Sequence, residues 1–194
     1  FELTQPQGSS TLEVTDVVTN ISCNGYGNGS VNLTVTGGLL PYAYSWSNGA
    51  STQDLNGLSV GTYTVTVSDQ NSATFIGSYT ITEPTAILLT DVAMNVSCNG
   101  LGDGSIDITV SGGSAPYSYV WNNGSSLEDQ TGLAPGLYNV SVSDANSCSF
   151  LMFWTITEPA VLVLSETITN VSCNGSANGS IDLIVSGGTS PYTY

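Results

Sequence analysis

The stretch that decides the fold is Ser97-Cys98-Asn99-Gly100-Leu101-Gly102-Asp103-Gly104-Ser105-Ile106-Asp107-Ile108-Thr109-Val110-Ser111-Gly112-Gly113, followed by Pro116-Tyr117-Ser118-Tyr119. Its Cys-Asn-Gly opening recurs at Cys23 and Cys173, each 75 positions from Cys98. The Pro-Tyr pairs at Pro41, Pro116 and Pro191 keep the same period. Self-similarity at a fixed spacing is the signature of a repeat protein, so the chain is predicted to be a tandem array.

The period divides the 194 residues into four parts. Residues 1–6 resemble residues 79–84 and are predicted to be the last strand of a preceding repeat. Repeat 1 then covers residues 7–84, repeat 2 covers 85–159, and 160–194 form the N-terminal part of an incomplete repeat 3. Because this last part is less than half a repeat, further sequence or another chain must complete its core. No initiator methionine or signal peptide is visible, so we expect a segment of a longer protein.

The composition excludes several classes of partner. The chain has no Lys, Arg or His against 15 Asp plus Glu, which gives a formal net charge of −15. Without cations it cannot neutralise phosphates, so neither nucleic acid nor an anionic membrane surface is an expected partner. No apolar run approaches the roughly 18 residues of a membrane-spanning helix, so no direct membrane insertion is expected.

Alternation of polar and apolar residues predicts strands throughout. Residues 105–110 alternate, Asn-Gly pairs provide tight turns, and no segment has the pattern of a helix. The Leu-x-x-Gly-x-Tyr pattern resembles a tyrosine corner. We therefore predict an all-β fold of tandem compact Ig-like β-sandwich repeats of 75 residues. The predicted structural core includes the aromatic residues Tyr42, Tyr44, Trp46, Tyr63, Tyr117, Tyr119, Trp121 and Tyr138; a sugar-stacking platform is the less favoured interpretation of the aromatic rows.

The order of these motifs resembles the SprB repeat of long surface adhesins in gliding Gram-negative bacteria. The motifs are Ser-Cys-Asn-Gly, Asn/Asp-Gly-Ser-Ile/Val, Val-Ser/Thr-Gly-Gly, Pro-Tyr-x-Tyr-x-Trp-x-Asn-Gly and Leu-x-x-Gly-x-Tyr-x-Val-x-Val-x-Asp. The resemblance implies a structural stalk segment of a cell-surface filament for surface attachment and gliding motility. It also implies type IX secretion, attachment to the outer membrane, and neighbouring repeats and the outer-membrane gliding machinery as partners. Alternatively, the repeats themselves bind polysaccharide or surfaces as multivalent adhesive modules.

The cysteines offer one candidate disulfide within a repeat. Cys98 and Cys148 both belong to repeat 2, and the export that the resemblance implies would permit their oxidation. The alternative is that both are small buried thiols. The counterpart of Cys148 in repeat 1 is Ala73, so Cys23 is expected to be an unpaired buried thiol.

No cofactor is expected, and calcium is only a weak possibility. Its candidate ligands are Asp69 and Asp144 in turns and Glu83 and Glu158 at the repeat junctions. The favoured alternative is that Asp and Asn side chains cap turns.

An enzyme is not expected. A serine nucleophile would have neither His nor Lys as its base. The carboxylates of Asp103 and Asp107 could serve as a catalytic pair, but repeat 1 has Asn28 and Asn32 at those positions. A site that is not kept between copies is poor support for catalysis.

Overall fold

The computed structural model describes residues 11–194, so the strand predicted at residues 1–6 lies outside the described part. Within that part the chain forms fourteen β-strands and no helix. Repeat 1 contains β1 (Glu13–Thr19), β2 (Gly29–Thr36), β3 (Ala43–Trp46), β4 (Leu55–Leu58), β5 (Gly61–Ser68) and β6 (Thr74–Ile81). Repeat 2 contains β7 (Leu88–Met94), β8 (Gly104–Ser111), β9 (Ser118–Trp121), β10 (Gln130–Leu133), β11 (Gly136–Ser143) and β12 (Ser149–Ile156). The incomplete third copy contains β13 (Val163–Thr169) and β14 (Ser180–Ser186).

The chain divides into two compact units. The first ends at Ala86 and also includes Gly112–Ala115, whereas the second comprises Ile87–Ser111 and Pro116–Tyr194. Repeat 1 therefore forms the body of the first unit. Repeat 2 and the partial third copy belong to the second.

Two three-stranded antiparallel sheets form the sandwich of the first unit. One has the order β1-β2-β4 and the other the order β3-β5-β6. Val31 and Leu33 of β2 belong to the same buried cluster as Val65 and Val67 of β5, while the intervening side chains of β2 face outward. A strand that buries one face places every second side chain in the core, which is why the alternation in the sequence predicts this arrangement.

The second unit repeats this sandwich with sheets β10-β8-β7 and β12-β11-β9. Ile106 and Ile108 of β8 pack in one cluster with Val140 and Val142 of β11. Trp121 is 2% exposed in this core. The predicted all-β fold with repeated domains is therefore confirmed.

The two strands of the partial third copy pair along their whole length. β13 and β14 match from Val163↔Ser186 to Thr169↔Ser180. Ile181 and Leu183 are 66% and 47% exposed, whereas Ile106 and Ile108, at the same positions of repeat 2, are 0% and 3% exposed. This hairpin borders a cleft of about 910 Å³. In the part of the chain that the structure describes, no second sheet covers Ile181 and Leu183 as it does Ile106 and Ile108.

The sandwich of repeat 1 has two distinct ends. At the incoming end, Glu13 of β1 pairs with Thr36 and Ser68 of β5 pairs with Thr74. At the outgoing end, Thr19 pairs with Ser30 and Gly61 pairs with Ile81. The first and last strands therefore run in the same direction, and the chain enters and leaves the repeat at opposite ends.

Candidate functional site: the Cys-Asn-Gly turn

The Cys-Asn-Gly motif forms a tight turn between the first two strands of each repeat. The N–H of Tyr26 donates to the carbonyl of Cys23 at 3.0 Å, and that of Leu101 donates to Cys98 at 3.1 Å. Gly25 and Gly100 both have a φ of +76°, in the left-handed region that favours glycine. The glycine of the motif is therefore required by the backbone conformation.

The residue just before the second strand braces this turn. In repeat 1 the Oδ1 of Asn28 accepts from the N–H of Ser22 at 3.1 Å, and its Nδ2 donates to Ser22 Oγ at 2.7 Å. In repeat 2 the carboxylate of Asp103 accepts from both the N–H and the Oγ of Ser97, at 2.8 and 2.6 Å. These two bonds, the hydroxyl's first, hold the pKa of Asp103 below its usual value. The interchange of Asn and Asp thus keeps the same brace.

The glycine after the brace is needed for close packing. A Cβ at Gly29 would lie 2.6 Å from Cγ2 of Ile81 and 3.0 Å from the carbonyl oxygen of Leu58. At Gly104 it would lie 2.8 Å from Cγ2 of Ile156 and 2.9 Å from the carbonyl oxygen of Leu133. In the Asn/Asp-Gly-Ser motif, the Asn or Asp side chain therefore braces the turn, and the glycine lets the second strand approach the backbone of the fourth strand closely.

The turn also holds the residues that end the repeat. The N–H of Gly25 donates to Oε2 of Glu83 at 2.7 Å, and Nδ2 of Asn24 donates to the carbonyl of Pro84 at 3.1 Å. Repeat 2 has the same contacts, at 2.6 Å from Gly100 to Glu158 and at 3.1 Å from Asn99 to Pro159. The Glu-Pro junction is thus fastened to the Cys-Asn-Gly turn of its own repeat.

Immediately before the turn, the chain pairs with the end of the last strand. The N–H of Ile21 donates to the carbonyl of Thr82 at 3.0 Å, and the N–H of Thr82 donates to Oδ1 of Asn20 at 2.9 Å. Because β1 and β6 run in the same direction, this contact is a short parallel pairing in which an Asn side chain replaces one backbone acceptor. Repeat 2 has both bonds, at 2.9 Å each, between Asn95-Val96 and Thr157.

The carboxylate of each calcium candidate accepts a hydrogen bond from at least one backbone N–H group. Asp69 accepts from Leu39, Asn71 and Ala73, each at 2.9 Å, and these bonds, Leu39's first, hold its pKa below the usual value. Oδ1 of Asp144 accepts from Asn146 and Cys148 at 2.9 Å. Glu83 and Glu158 accept hydrogen bonds from the N–H groups of Gly25 and Gly100 at the repeat junctions. Among residues 11–194, no group of three or more Asp, Glu, Cys or His side chains could hold a metal ion.

The predicted Cys98–Cys148 bridge is wrong. Cys98 is an exposed free thiol, whereas Cys148 is disulfide-bonded. Cys98 lies at the outgoing end beside Pro159, and Cys148 lies at the opposite end, where its N–H binds Asp144. The eight residues of β11 separate these ends by about 24 Å, far beyond the roughly 7 Å that a disulfide allows between Cα atoms. A spacing of 50 residues does not reveal that the two cysteines occupy opposite ends.

The prediction that Cys23 is an unpaired thiol is also wrong. Cys23 is 6% exposed, and it is disulfide-bonded. Its counterpart in the third copy, Cys173, is an exposed free thiol. The sequence argument failed because it looked for a partner only at the equivalent position of the same repeat.

Among the aromatic residues of the sequence motifs, the two tryptophans are buried and the tyrosines are partly buried around them. Trp46 is 4% exposed, and Tyr42, Tyr44 and Tyr63 pack partly buried against the same cluster. In repeat 2, Tyr117, Tyr119 and Tyr138 surround the cluster that contains Trp121. The hydroxyl groups of Tyr63 and Tyr138 donate to the carbonyls of Ser59 and Ala134, at 3.1 and 3.0 Å. These backbone bonds, four residues upstream, have the geometry of a tyrosine corner.

Sequence reasoning missed a second aspartate brace. The N–H of Leu33 donates to Asp54 at 2.8 Å, and that of Ile108 donates to Asp129 at 2.9 Å. In each repeat the carboxylate thus satisfies a backbone donor at the end of the short pairing between the second and fourth strands. Its recurrence at the 75-residue period was a signal that could have identified it.

The chemistry available to the turn is that of fixed hydrogen-bond acceptors. Asp103 is bound to Ser97, while Asp107 is exposed on β8. A lowered pKa keeps the Asp103 carboxylate ionised at neutral pH, which suits an acceptor and not a proton donor. The Asn and Asp side chains that brace the turn thus serve the architecture of their own repeat.

Comparison with known proteins identifies the repeat. The family model of the SprB repeat matches residues 15–51, 90–126 and 165–194, and each match includes the Cys-Asn-Gly turn. No curated protein sequence matches the chain. A crystal structure of the C-terminal 282-residue fragment of intimin, in complex with the intimin-binding domain of the translocated intimin receptor, has 13% sequence identity and a TM-score of 0.41. The overlap covers 76% of this chain and 66% of that one, and a similarity this low carries no argument.

The described residues contain no helix that is long and apolar enough to cross a membrane. The three family matches together cover more than half of the chain. The chain belongs to the SprB repeat family, and it is a repeat region of the kind found in surface adhesins.

Proposed function

We propose that this chain is a structural stalk segment of a long cell-surface adhesin filament, and that it carries no catalytic activity and requires no cofactor. The observation that carries the proposal is the path of the chain through each repeat. The chain enters at one end of the sandwich and leaves at the other, where the Cys-Asn-Gly turn fastens the Glu-Pro junction. Within each repeat the chain therefore advances from one end of the sandwich to the other.

The use of the motif residues supports the same function. The recurring polar side chains bind backbone groups of their own repeat, as Asp103, Asp69 and Glu83 do. Residues whose hydrogen-bonding groups are taken up internally are suited to a spacer. A ligand site would instead present polar groups that await a partner.

The cellular setting of this proposal follows from the family resemblance. We place the filament outside the cell, attached to the outer membrane after type IX secretion, and we assign it to surface attachment and gliding motility. Its partners are then the neighbouring repeats of the same chain and the outer-membrane gliding machinery. The single sign of charge suits a crowded filament layer, because like-charged chains repel one another.

Binding assays with the purified chain test the stalk. A spacer is expected to give no signal on a glycan array and no retention on glass or polystyrene above that of an unrelated acidic Ig-like protein. In cells, replacing the repeats with an unrelated Ig-like spacer of equal length is expected to preserve attachment. Saturable binding by the purified repeats, or loss of attachment after the replacement, would contradict a spacer role.

One observation favours the second candidate function, in which the repeats themselves adhere. The outer face of the β9-β11-β12 sheet exposes Val120, Leu137, Leu151 and Phe153, with exposed fractions between 53% and 74%. The equivalent residues of repeat 1 are Ser45, Thr62, Ile76 and Ser78. Repeat 2 thus has an apolar outer face that repeat 1 lacks, and such a patch is a common feature of binding surfaces.

A variant that gives repeat 2 the outer face of repeat 1 distinguishes the two functions. The substitutions are Val120→Ser, Leu137→Thr and Phe153→Ser. If the apolar face adheres, retention on hydrophobic or polysaccharide surfaces falls in this variant while its circular dichroism spectrum stays unchanged. Equal retention of both proteins would exclude the apolar face as the adhesive surface.

A further inference from the structure

We propose that the parallel pairing at the outgoing end of each repeat is a mechanical clamp that resists unfolding when the chain is pulled. The clamp joins Asn20-Ile21 to Thr82 in repeat 1 and Asn95-Val96 to Thr157 in repeat 2. The inference deepens the proposed stalk function and rests on it, because only a filament that transmits force is loaded in this way.

The direction of the strands determines how a pulling force acts on the clamp. With the cysteines reduced, so that no disulfide diverts the load at Cys23 or Cys148, force on the preceding chain draws β1 towards the incoming end. Force on the following chain then draws the end of β6 towards the outgoing end. Since β1 and β6 run in the same direction, the two segments slide past each other along their axes. The hydrogen bonds between them lie across the direction of sliding, so they share the load and must break together. Bonds at a strand end that is peeled sideways would break one after another at a lower force.

Four hydrogen bonds connect the two loaded segments at the outgoing end of each repeat. In repeat 1 they are the two bonds between Asn20-Ile21 and Thr82, the bond from Gly25 to Glu83 and the bond from Asn24 to Pro84. The same four in repeat 2 agree in length to within 0.1 Å. Some core residues differ between the two sandwiches, as Leu33 and Ile108 do and as Tyr79 and Trp154 do, whereas these four bonds are kept. In repeat 2, Nε1 of Trp154 in β12 also donates to Asp91 of β7, at 2.7 Å.

One backbone bond of each clamp is donated by a buried residue. Ile21 and Val96, whose N–H groups donate to the last strand, are 4% and 3% exposed. The N–H of Thr82 also needs an acceptor. The side-chain oxygen of Asn20 accepts this hydrogen bond in place of a backbone carbonyl. The asparagine therefore adds a second cross-link at a point where the parallel pairing would otherwise have a single bond.

Single-molecule force spectroscopy on the whole chain, held by its two ends, tests the clamp. The protein is kept reduced, so that the disulfide-bonded state of Cys23 and Cys148 does not limit the extension. Each complete repeat then releases about 75 residues at roughly 3.4 Å per residue, so the expected increase in contour length is about 230 Å after subtraction of the folded length. The variant Asn95→Ala removes the clamp acceptor of repeat 2 only. At a given force, repeat 2 is expected to unfold about tenfold faster, because the rate of forced unfolding depends on the interactions broken on the way. Repeat 1 serves as the internal reference.

The control is Asn122→Ala, which removes a side chain of the same type with two backbone bonds in the same repeat. Asn122 accepts from the N–H of Asn139 at 3.1 Å and donates to the carbonyl of Leu137 at 2.9 Å, and neither bond joins the first strand to the last. Its equilibrium stability is expected to fall without a comparable change in unfolding force. Asn95→Asp keeps an acceptor, so it is expected to retain most of the force.

Two results would overturn the clamp. One is an unchanged unfolding force in Asn95→Ala. The other is a loss of force in Asn122→Ala that equals the loss in Asn95→Ala at equal equilibrium stability. Failure of the stalk proposal is recognised separately, since it depends on the binding assays described above. A chain that adheres through its repeats but loses force only in Asn95→Ala would refute the spacer role and keep the clamp.

Discussion

At the base of the Cys-Asn-Gly turn, the packing of a single glycine constrains the backbone of each repeat. Gly104 begins β8, and a Cβ there would meet both Ile156 and the backbone of Leu133. Neither neighbour is a flexible side-chain tip, so the clash would have to be relieved by movement of the β8–β10 pairing.

Gly104→Ala is therefore expected to destabilise repeat 2 by about 1–3 kcal/mol, the usual cost of overpacking a core. Gly136→Ala is the matched control, because a Cβ at Gly136 would meet only the ring of Tyr138, at 3.8 Å. Urea denaturation of the three proteins measures the difference. Equal midpoints for the two variants would contradict the close approach at Gly104.

Acid is expected to weaken the turn that Asp69 holds. Its folded-state pKa lies below the usual value, chiefly because the N–H of Leu39 donates to the carboxylate. Below the unfolded pKa of about 3.9 the unfolded chain takes up the proton first, so this contribution to stability is present above that pH and is lost as the pH falls through the folded pKa. Thermal melts between pH 7 and pH 2 measure the loss.

Comparison with the variant Asp69→Asn isolates the contribution of Asp69 to stability. The other carboxylates become protonated in both proteins, so their effect on the melting temperature cancels. The difference in melting temperature between wild type and variant is expected to shrink steadily below about pH 4. A constant difference across the whole range would show that ionisation of Asp69 does not stabilise the turn.

At the scale of strands and turns, the features that depend on a local sequence pattern were predictable, namely the core-facing side chains of a strand and the tyrosine corner. The alternation in β2 and β8 fixed which side chains enter the core, and Val31 and Ile106 are fully buried as expected. The tyrosine corner was also predictable, since its donor and acceptor lie four residues apart.

The clamp and the cysteine states were not predictable in this way. Asn20 and Thr82 are 62 residues apart, and the Thr-Glu-Pro segment reads as a plain linker. The spacing of Cys98 and Cys148 is 50 residues along the chain. That spacing does not tell at which end of the sandwich each cysteine lies. Contacts that depend on which strand ends meet require the topology, which periodicity alone does not supply.

The cysteine states can be measured by alkylation. In the native, non-reduced protein, Cys98 and Cys173 are expected to react with iodoacetamide, because both are exposed free thiols. Cys23 and Cys148 are expected to react only after reduction and unfolding. Peptide mapping by mass spectrometry distinguishes the four sites. Protection of Cys98 in the non-reduced protein would contradict the structure.

At the scale of the whole molecule, every ionised side chain carries the same sign. Fifteen carboxylates face no Lys, Arg or His, so the side chains form no salt bridges that salt could weaken. Mutual repulsion of like charges opposes the compact state, and salt screens that repulsion over about 10 Å at 0.1 M ionic strength.

The melting temperature is therefore expected to rise between 10 mM and 150 mM NaCl, as differential scanning calorimetry would measure. Calcium and magnesium chloride at equal ionic strength are expected to produce the same rise, because Asp69, Asp144, Glu83 and Glu158 are held by separate backbone groups. A fall with added salt would contradict the repulsion argument. A rise specific to calcium would show that one of these carboxylates binds the ion.

The equivalence of Asn28 and Asp103 has a consequence for chemical ageing. Asparagine is among the thermolabile residues, and Asn28 is exposed in an Asn-Gly sequence. Loss of ammonia to a cyclic imide, and opening of that imide by water at its backbone carbonyl or its side-chain carbonyl, would produce isoaspartate or aspartate respectively. The aspartate product is the group that repeat 2 already uses at Asp103. The hydroxyl of Ser22 would then donate to the new carboxylate, as that of Ser97 does. A repeat built from such turns can therefore keep its brace when Asn28 is converted to aspartate.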